Sequence, residues 1–401
     1  MQELKSRNFS VCLVIFHPFP EIKGGEERFL KNLADFLGNR NIRFSIVSSI
    51  PRSNNMNVFG VGIKPFRLPL LGELPYSLIF SFIAGVRIIR LNKYRSFSLI
   101  HSIDTGYAGL AGLIASKMLG IKFIVHSHCF RAPLLKSILL LRWSLAKYFV
   151  SPFERFQTFI DKIVSRNADL VLTVSNEIGD YIYSLGVPSK KIVTIPMGIN
   201  ASSFELKLED REEVRCELGI PRNAFVIGYI GRIDTPSKRV DTLVRAFSAI
   251  RAKGCVNSFL VIVGNDVHGR LENRVKNMGV KSVILTGYRK DVERILATLD
   301  VFVLPSLSEG CPFSLLEAMA GGKAIVASDI PSIRDVVEDG KEALLFNPRE
   351  VNALVSALSR LCNNEDFRQT LGENARKKVF QYEEETVLSK IAEIYLQNNG
   401  I

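Results

Sequence analysis

Short apolar segments alternate with longer helix-period segments along the whole chain. Most of the short segments lack a polar residue at every second position, so both faces of each resulting strand would be buried. Strands of that kind, separated by helices, are typical of parallel sheets built from right-handed βαβ units. The predicted strands are Val11–Phe16, Phe44–Val47, Leu99–His101, Phe123–Val125, Leu170–Val174, Ile192–Ile195, Phe225–Ile230, Leu260–Val263, Val283–Leu285, Val301–Leu304, Ala324–Ala327 and Leu344–Phe346.

Six of these strands precede residue 200 and six follow it, and the segment Pro196–Phe204 between them has the composition of a linker. The sequence therefore predicts an α/β protein of two Rossmann-like domains, residues 1–200 and 201–380, each a doubly wound parallel sheet. Placed face to face, the two domains would line a central cleft with the carboxyl ends of their strands, where open sheets bind ligands.

Positive charge is concentrated in the first half of the chain. Residues 1–200 contain 25 Lys or Arg and 12 Asp or Glu, whereas the whole chain has a net charge of +12. The basic half indicates either an anionic partner, such as a membrane surface, or only a solvated surface. The segment Leu134–Ile160, with cations among Leu, Trp and Phe, fits a helix on an anionic membrane or one packed on the sheet. No nucleic-acid recognition motif accompanies the charge, so we expect no nucleic-acid partner.

Targeting signals and cysteine usage favour a cytoplasmic protein. The N-terminal residues lack the apolar core of a signal peptide. The apolar segment Leu74–Ile89 is short for a bilayer span, and Arg87 and Arg90 interrupt its end. The six cysteines are scattered without a CxxC pair, which favours reduced thiols over disulfides or a zinc site. We expect a cytoplasmic location, with peripheral attachment to the cytosolic face of a membrane as a further possibility.

The densest candidate chemistry lies in Ser306–Ala320 (SLSEGCPFSLLEAMA), where a predicted strand passes through a loop into a helix. Glu309 in the loop would reach sugar hydroxyls, and Glu317, two turns further on, would reach a ribose diol. The first N–H groups of the helix, those of Phe313 and Ser314, would form an anion site. The alternative is an ordinary loop acid and a solvent-facing helical acid.

A second candidate lies after the strand Phe225–Ile230, which ends in Gly231 and Arg232, with Lys238 six residues later. Glycine lets the backbone approach a ligand closely, and an Arg and a Lys at one strand end would clamp a diphosphate. The alternative is a pair of exposed cations near a helix start.

The first half contains two weaker candidates. Gly24 and Gly25 precede a helix and would allow a phosphate or sugar to approach, although a plain βα turn also fits. They form neither GxGxxG nor a P-loop, so nicotinamide or ATP binding by those routes is not supported. His126 and His128 follow a strand, where they fit a cleft-facing histidine, two zinc ligands without an evident third, or a hydrogen-bonded core histidine.

In motif order the chain resembles the retaining GT-B glycosyltransferases of glycosyltransferase family 4. The resemblance runs from HPFPEIKGGEERFLKNLADFL through FIVHSH, VLTVSNEI and TIPMGIN to GYIGRIDTPSKRV, LVIVGND and SEGCPFSLLEAMA. It implies an acceptor in the first domain, a nucleotide in the second, and a C-terminal helix, residues 381–401, that crosses back to the first domain. Asn265 and Asp266 depart from the Gly-rich turn that is common in the family, as Met197 and Asn200 depart from its usual linker residues.

The resemblance also implies roles for single residues. Arg232 and Lys238 match cations that stabilise the leaving diphosphate, Glu317 matches the acid on the ribose, and Glu309 matches the acid facing the donor sugar. His128 matches a histidine beside the transferred sugar, with His126 as the alternative. The implied catalytic residues are His128, Glu309, Arg232 and Lys238, and the implied donor-binding residues are Gly25, Gly231, Arg232, Lys238, Glu309, Gly310, Phe313, Ser314 and Glu317.

The expected activity is retaining transfer of a hexose from a UDP- or GDP-sugar to a hydroxyl of a lipid-linked or surface-glycan acceptor. Because the chain lacks Asp-x-Asp and has Arg and Lys in that role, we expect no metal and no cofactor. Three alternatives remain open: a soluble sugar or sugar-phosphate acceptor, a non-catalytic nucleotide-sugar-binding subunit, and an epimerase of similar architecture.

Overall fold

The computed structural model describes residues 9–20, 24–49, 56–62, 74–129, 146–205, 208–233, 236–266 and 269–398. The chain divides into two compact units. The first unit comprises Met1–Met197 together with Glu385–Ile401, and the second comprises Gly198–Glu384. Each unit is built around one parallel β-sheet.

The sheet of the first unit has seven strands in the order β3-β2-β1-β4-β5-β6-β7, and every described pairing is parallel. Its strands are β1 Ser10–Val14, β2 Arg43–Ser48, β3 Val58–Gly60, β4 Leu99–Ser102, β5 Lys122–Ser127, β6 Leu170–Thr173 and β7 Ile192–Thr194. Its helices before the linker are α1 Gly25–Asn39, α2 Leu74–Arg95, α3 Tyr107–Leu119, α4 Ala146–Asn167 and α5 Asn176–Ser184.

The sheet of the second unit has six parallel strands in the order β10-β9-β8-β11-β12-β13. Its strands are β8 Phe225–Ile230, β9 Ser258–Val263, β10 Val283–Gly287, β11 Val301–Leu304, β12 Ala324–Ser328 and β13 Leu344–Phe346. The remaining helices are α6 Leu208–Glu217, α7 Val240–Ala252, α8 Arg270–Met278, α9 Val292–Thr298, α10 Phe313–Ala320, α11 Pro331–Arg334, α12 Val351–Cys362, α13 Glu365–Val379 and α14 Glu384–Asn398.

Both strand orders are those of doubly wound sheets, which confirms the predicted fold class. Each of the twelve predicted strands is present within a residue or two of its predicted bounds. The prediction missed β3, a three-residue strand that pairs with β2 at the sheet edge. A strand of that length buries too few apolar side chains to leave a recognisable pattern.

The last helix, α14, completes the first unit although it follows the second unit in sequence. Its apolar face is fully buried: Ile391, Ala392 and Tyr395 have no exposed surface. The Tyr395 hydroxyl lies 2.6 Å from Nδ1 of His101, the third residue of β4. The core of the first unit therefore depends on the end of the chain.

The predicted reduced state of all six cysteines is wrong for one pair, because the structure joins Cys255 and Cys362 in a disulfide. Cys255 follows α7 and Cys362 ends α12, and these two helices pack against each other within the second unit. Their 107-residue separation explains why spacing along the chain gave no sign of the bridge. Cys12, Cys129, Cys216 and Cys311 are not part of a disulfide.

A buried arginine organises the edge of the second sheet where its strands begin. Arg215 on α6 is 2% exposed and donates hydrogen bonds to the carbonyl oxygens of Thr298, Arg222 and Ala224. It also forms an ion pair with Asp300, whose carboxylate accepts the N–H of Val226 on β8. The guanidinium thereby donates hydrogen bonds to several loop carbonyl oxygens that would otherwise be buried without a donor.

The apolar segment Leu74–Ile89, judged short for a bilayer span, lies in a longer helix. Helix α2 continues beyond it to Arg95 and has 22 residues. Among the described residues, α2 is the one helix long and apolar enough to cross a membrane. Of its most apolar 18-residue stretch, 39% is buried inside the protein. It packs along α3, and Gly85 lets the two backbones approach, since a Cβ there would lie 3.3 Å from the Ala111 carbonyl oxygen.

Candidate functional site

Two loops meet at the carboxyl edge of the second sheet, where β8 and β11 are neighbours. One loop follows β8 and carries Gly231, Arg232 and Lys238, and the other follows β11 and carries Glu309. The backbone N–H of Leu307 donates to the Ser237 carbonyl oxygen at 2.7 Å, which holds the loops together. The order of the strands reverses between β8 and β11, and ligands of doubly wound sheets usually bind at such a switch point.

Lys238 and Glu309 form an ion pair at the junction of these loops. Nζ of Lys238 lies 2.6 Å from Oε1 of Glu309, and the two side chains are only 16% and 7% exposed. Low exposure strengthens the attraction relative to a surface pair. The sequence identified both residues as candidates but did not predict that they contact each other.

Helix α10 begins beside this ion pair. Pro312 is its N-cap, and the first intrahelical hydrogen bond runs from Leu315 N to the Pro312 carbonyl oxygen at 3.1 Å. The N–H groups of Phe313 and Ser314 thus lie in the first turn, at the positive end of the helix dipole. Glu317 lies further along the same helix and is 4% exposed. Gly310 lies between Glu309 and the helix start and is half-buried.

Two glycines allow the ends of β8 and β9 to approach each other beside the site. Gly231 has φ +157°, and Gly264, at the end of β9, has φ +153°. A Cβ on Gly264 would lie 2.1 Å from the Gly231 carbonyl oxygen, closer than atoms can approach. Both positions therefore require glycine for their backbone conformation and for the contact between neighbouring strand ends.

Arg232 is exposed, and its guanidinium has no hydrogen-bond or ion-pair partner among the described residues. Its backbone is fixed, because the Tyr229 hydroxyl donates to its carbonyl oxygen at 2.7 Å. Lys238 is neutralised by Glu309, whereas Arg232 is a positive side chain without a carboxylate partner among the described residues.

Asp266 has a structural role at this edge. Its carboxylate accepts the N–H groups of Arg270, Leu271 and Glu272 at 2.8–3.0 Å, which caps helix α8. The side chain that departs from the family pattern is thus occupied by the protein itself.

The first unit contains three histidines stacked at the ends of β4 and β5. The rings of His126 and His128 lie 4.1 Å apart between centroids, and the ring of Phe29 on α1 contacts both at 4.9 Å. His101 stacks on the other side of His126 at 5.7 Å. The sequence identified His126 and His128, but not His101, which is brought in by the adjacency of β4 and β5.

Burial keeps two of these histidines neutral. It lowers the pKa of His101 to about 3. It lowers the pKa of His126 well below its usual value, and repulsion by the neighbouring His128 and His101 lowers it further. Neither ring nitrogen of His126 has a hydrogen-bond partner among the described residues. His128 is 7% exposed, more than His126 at 1%.

The Gly24–Gly25 turn is surrounded by side chains that the sequence analysis did not consider. Gly25 is the first residue of α1, and Glu26 and Glu27 lie in the same first turn. His17 after β1 lies 3.6 Å from Glu26 and 4.0 Å from Glu27. The two carboxylates add negative charge at this helix start, so a phosphate near Gly25 would depend on positive charge from other parts of the site.

Among the described residues, no group of three or more His, Cys, Asp or Glu side chains is placed to hold a metal ion. His126 and His128 accordingly have no third ligand there. The segment Leu134–Ile160, the membrane-binding candidate, lies outside the described residues up to 145, and it joins α4 from Ala146.

Two family models match the chain. The model described as Glycosyltransferase Family 4 matches residues 23–203, and the model described as Glycosyl transferases group 1 matches residues 224–364. Together they cover the second sheet, every strand of the first sheet except β1, and the loops that follow β8 and β11. The chain is a glycosyltransferase that resembles glycosyltransferase family 4. It has the GT-B fold, as the resemblance in sequence implied.

Individual relatives in this family are distant. A UDP-Gal:alpha-D-GlcNAc-diphosphoundecaprenol alpha-1,3-galactosyltransferase of Escherichia coli is 27% identical over 79% of this chain and 79% of that relative. A D-inositol 3-phosphate glycosyltransferase of Salinispora arenicola is 25% identical over 80% of this chain and 74% of that relative. Among solved structures, HepE of Anabaena in complex with UDP and glucose superimposes with a TM-score of 0.75, at 19% identity over 96% of this chain and 98% of HepE.

Proposed function

We propose that this glycosyltransferase binds a nucleotide sugar, UDP- or GDP-linked, at the carboxyl edge of the second sheet and transfers a hexose with retention of anomeric configuration. The ion pair between Lys238 and Glu309, beside the start of α10, is the observation that carries the proposal. A buried cation and a buried carboxylate, in contact and next to the positive end of a helix dipole, suit a diphosphate and a sugar that must be held side by side.

The proposed chemistry follows from where negative charge develops. Departure of a nucleoside diphosphate places charge on its phosphate oxygens, and fixed positive groups aimed there stabilise the transition state more than the ground state. Arg232 and the N–H groups of Phe313 and Ser314 supply that stabilisation. When the donor binds, Glu309 releases Lys238 and accepts hydrogen bonds from sugar hydroxyls instead, so Lys238 joins the positive groups around the diphosphate. Glu317 binds the ribose. These charges are all the protein's own, so the proposal requires no metal and no cofactor.

In the first unit, Gly25 and His128 keep the roles that the family resemblance implies, near the phosphates and near the transferred sugar. We propose an acceptor that is a lipid-linked or surface glycan, because the Escherichia coli relative acts on a diphosphoundecaprenol-linked sugar. A cytoplasmic enzyme peripheral to the cytosolic face of a membrane would meet that acceptor. The Salinispora relative, which is named for inositol 3-phosphate, supports a soluble phosphorylated acceptor as the second candidate.

The donor site is tested by thermal shift against UDP- and GDP-sugars, with and without a chelator, followed by transfer assays on lipid-linked and soluble acceptors. Glu317→Gln should weaken nucleotide binding at least tenfold, since it removes a charged hydrogen-bond acceptor. Lys238→Met should lower kcat about 100-fold or more while the nucleotide still binds. Lys276→Met is the matched control, because Lys276 forms an exposed ion pair with Glu272 on α8.

Several results would count against the proposal. Wild-type rates in Lys238→Met would remove the assigned role, and loss of activity with the chelator would contradict metal independence. Retention is checked separately by the anomeric configuration of the product from an α-linked donor. Nucleotide binding without turnover on any acceptor would favour a non-catalytic subunit instead.

A further inference from the structure

One face of α2 exposes apolar side chains in its first half. Phe82 is 64% exposed, and Leu78 and Ile79 are 38% and 40% exposed. Large apolar side chains are scattered singly over most protein surfaces, whereas here three lie within two turns of one helix. Such a cluster indicates a surface that is covered in some state of the protein.

The same face becomes basic in the second half of the helix. Five side chains spaced three or four residues apart form a single line along the helix, here called the α2 stripe. They are Ile79, Phe82, Val86, Arg90 and Lys93. The α2 stripe is about 21 Å long at 1.5 Å per residue. It therefore runs from an apolar end to a basic end along one helix.

The basic end has no counter-charge within the protein. Arg90 and Lys93 are exposed, as is Arg87 at the margin of the stripe, and none of the three has an ion-pair or hydrogen-bond partner among the described residues. Helix α2 contains no Asp or Glu at all. The positive charge is thus directed outward, available to an anionic partner.

The opposite face of α2 fixes the orientation of the helix. Phe80, Ala84 and Ile88 are buried, and Gly85 packs against α3. A helix bound to its own unit along one face does not cross a bilayer, even though its length and composition would permit it. The exposed stripe is consequently suited to lie in the plane of an interface rather than to span it.

We propose that the α2 stripe docks this enzyme on a bilayer that contains anionic phospholipids, an inference that rests on the proposed membrane-bound acceptor. Leu78, Ile79 and Phe82 enter the boundary between headgroups and acyl chains, and Arg90 and Lys93 bind headgroup phosphates. A second copy of the chain is a poorer occupant. An antiparallel pairing of two stripes would bury each basic end against the other's apolar end without counter-charge.

The experiment is flotation of the full chain with vesicles of phosphatidylcholine alone or mixed with phosphatidylglycerol. The wild type should float with the anionic vesicles, and less so as salt is added. Arg90→Gln with Lys93→Gln should weaken binding about 30-fold, and Phe82→Ser about tenfold. The matched control is Lys117→Gln with Met118→Ser, an exposed basic and apolar pair on α3 outside the stripe, which should bind as the wild type does.

The outcomes separate this inference from the proposed function. Nucleotide thermal shifts should be unchanged in all α2 variants, so loss of vesicle binding alone reports on docking. The inference is overturned if the wild type does not float or if the stripe variants float normally. Lys136→Gln with Arg142→Gln tests the segment Leu134–Ile160 in the same way, and loss of binding in that variant but not in the stripe variants would assign docking to that segment instead. A change from dimer to monomer in Phe82→Ser, with flotation unchanged, would assign the stripe to self-association instead.

Discussion

The buried histidine pair makes the first unit sensitive to acid. His101 and His126 remain neutral in the folded chain because burial lowers the pKa of both, to about 3 for His101. In the unfolded chain each has an ordinary pKa near 6.5. Below that pH the unfolded state binds protons that the folded state does not, so stability is present above pH ~6.5 and falls as the pH drops toward the folded pKa.

The magnitude follows from the linkage relation. Each histidine removes about 1.4 kcal/mol per pH unit once the pH is well below 6.5. Between pH 7.5 and pH 5 that amounts to about 2 kcal/mol for each ring and about 4 kcal/mol for the pair. His126→Phe should remove the part of this acid-induced loss that is due to His126. It should change the unfolding free energy little at neutral pH, because the ring is buried and its nitrogens make no hydrogen bond within the described residues.

The assay is urea unfolding at several pH values, with hydrogen exchange in β4 and β5 to report on the first unit. The difference in unfolding free energy between pH 7.5 and pH 5 should be about 2 kcal/mol smaller in His126→Phe than in the wild type. His17→Gln is the control, since that side chain is 44% exposed and its removal should not reduce the acid loss. Equal acid losses in His126→Phe and the wild type would refute the reasoning.

Three further predictions concern the second unit. Arg215→Met should lower the unfolding free energy by about 3–5 kcal/mol, because several buried oxygens lose their donor, and a loss below 1 kcal/mol in urea unfolding would contradict this. Cys255→Ser should lower the unfolding free energy by about 2–5 kcal/mol because the bridge to Cys362 is lost. A reductant should lower the unfolding free energy of the wild type to the same level and leave that of the variant unchanged. Gly264→Ala should weaken nucleotide binding and lower Tm by several degrees, whereas Gly279→Ala, with open space around its Cβ, should cost only about 1 kcal/mol in denaturation and leave binding intact.

The fold could be predicted from the sequence because parallel strands buried on both faces appear in it as continuous apolar segments. Runs such as Val301–Leu304 and Ala324–Ala327 are strands with the predicted bounds or within one residue of them. β3 was missed because Val58–Gly60 has three residues at a sheet edge. The disulfide was missed because its partners meet through the packing of α7 on α12, which no local pattern encodes.

The candidate site was accessible only as separate residues. The Gly-Arg pair and the loop acid were identified from their positions after strands. The contact between Lys238 and Glu309, 71 residues apart, depends on the adjacency of β8 and β11. His101 joins His126 for the same reason, through the pairing of β4 with β5. Asp266 was noted only as a departure from the family's Gly-rich turn, whereas in the structure its carboxylate accepts the first N–H groups of α8.

The return of α14 to the first unit has a consequence for synthesis of the chain. The residues that fill the space beside His101 are made only after Gly198–Glu384, about 190 residues later. At about 5–20 residues per second, the first sheet waits roughly 10–40 s on the ribosome with the Tyr395 position empty. During that interval its exposed apolar groove is a site for chaperones, and a chain cut after the linker would never leave that incomplete state.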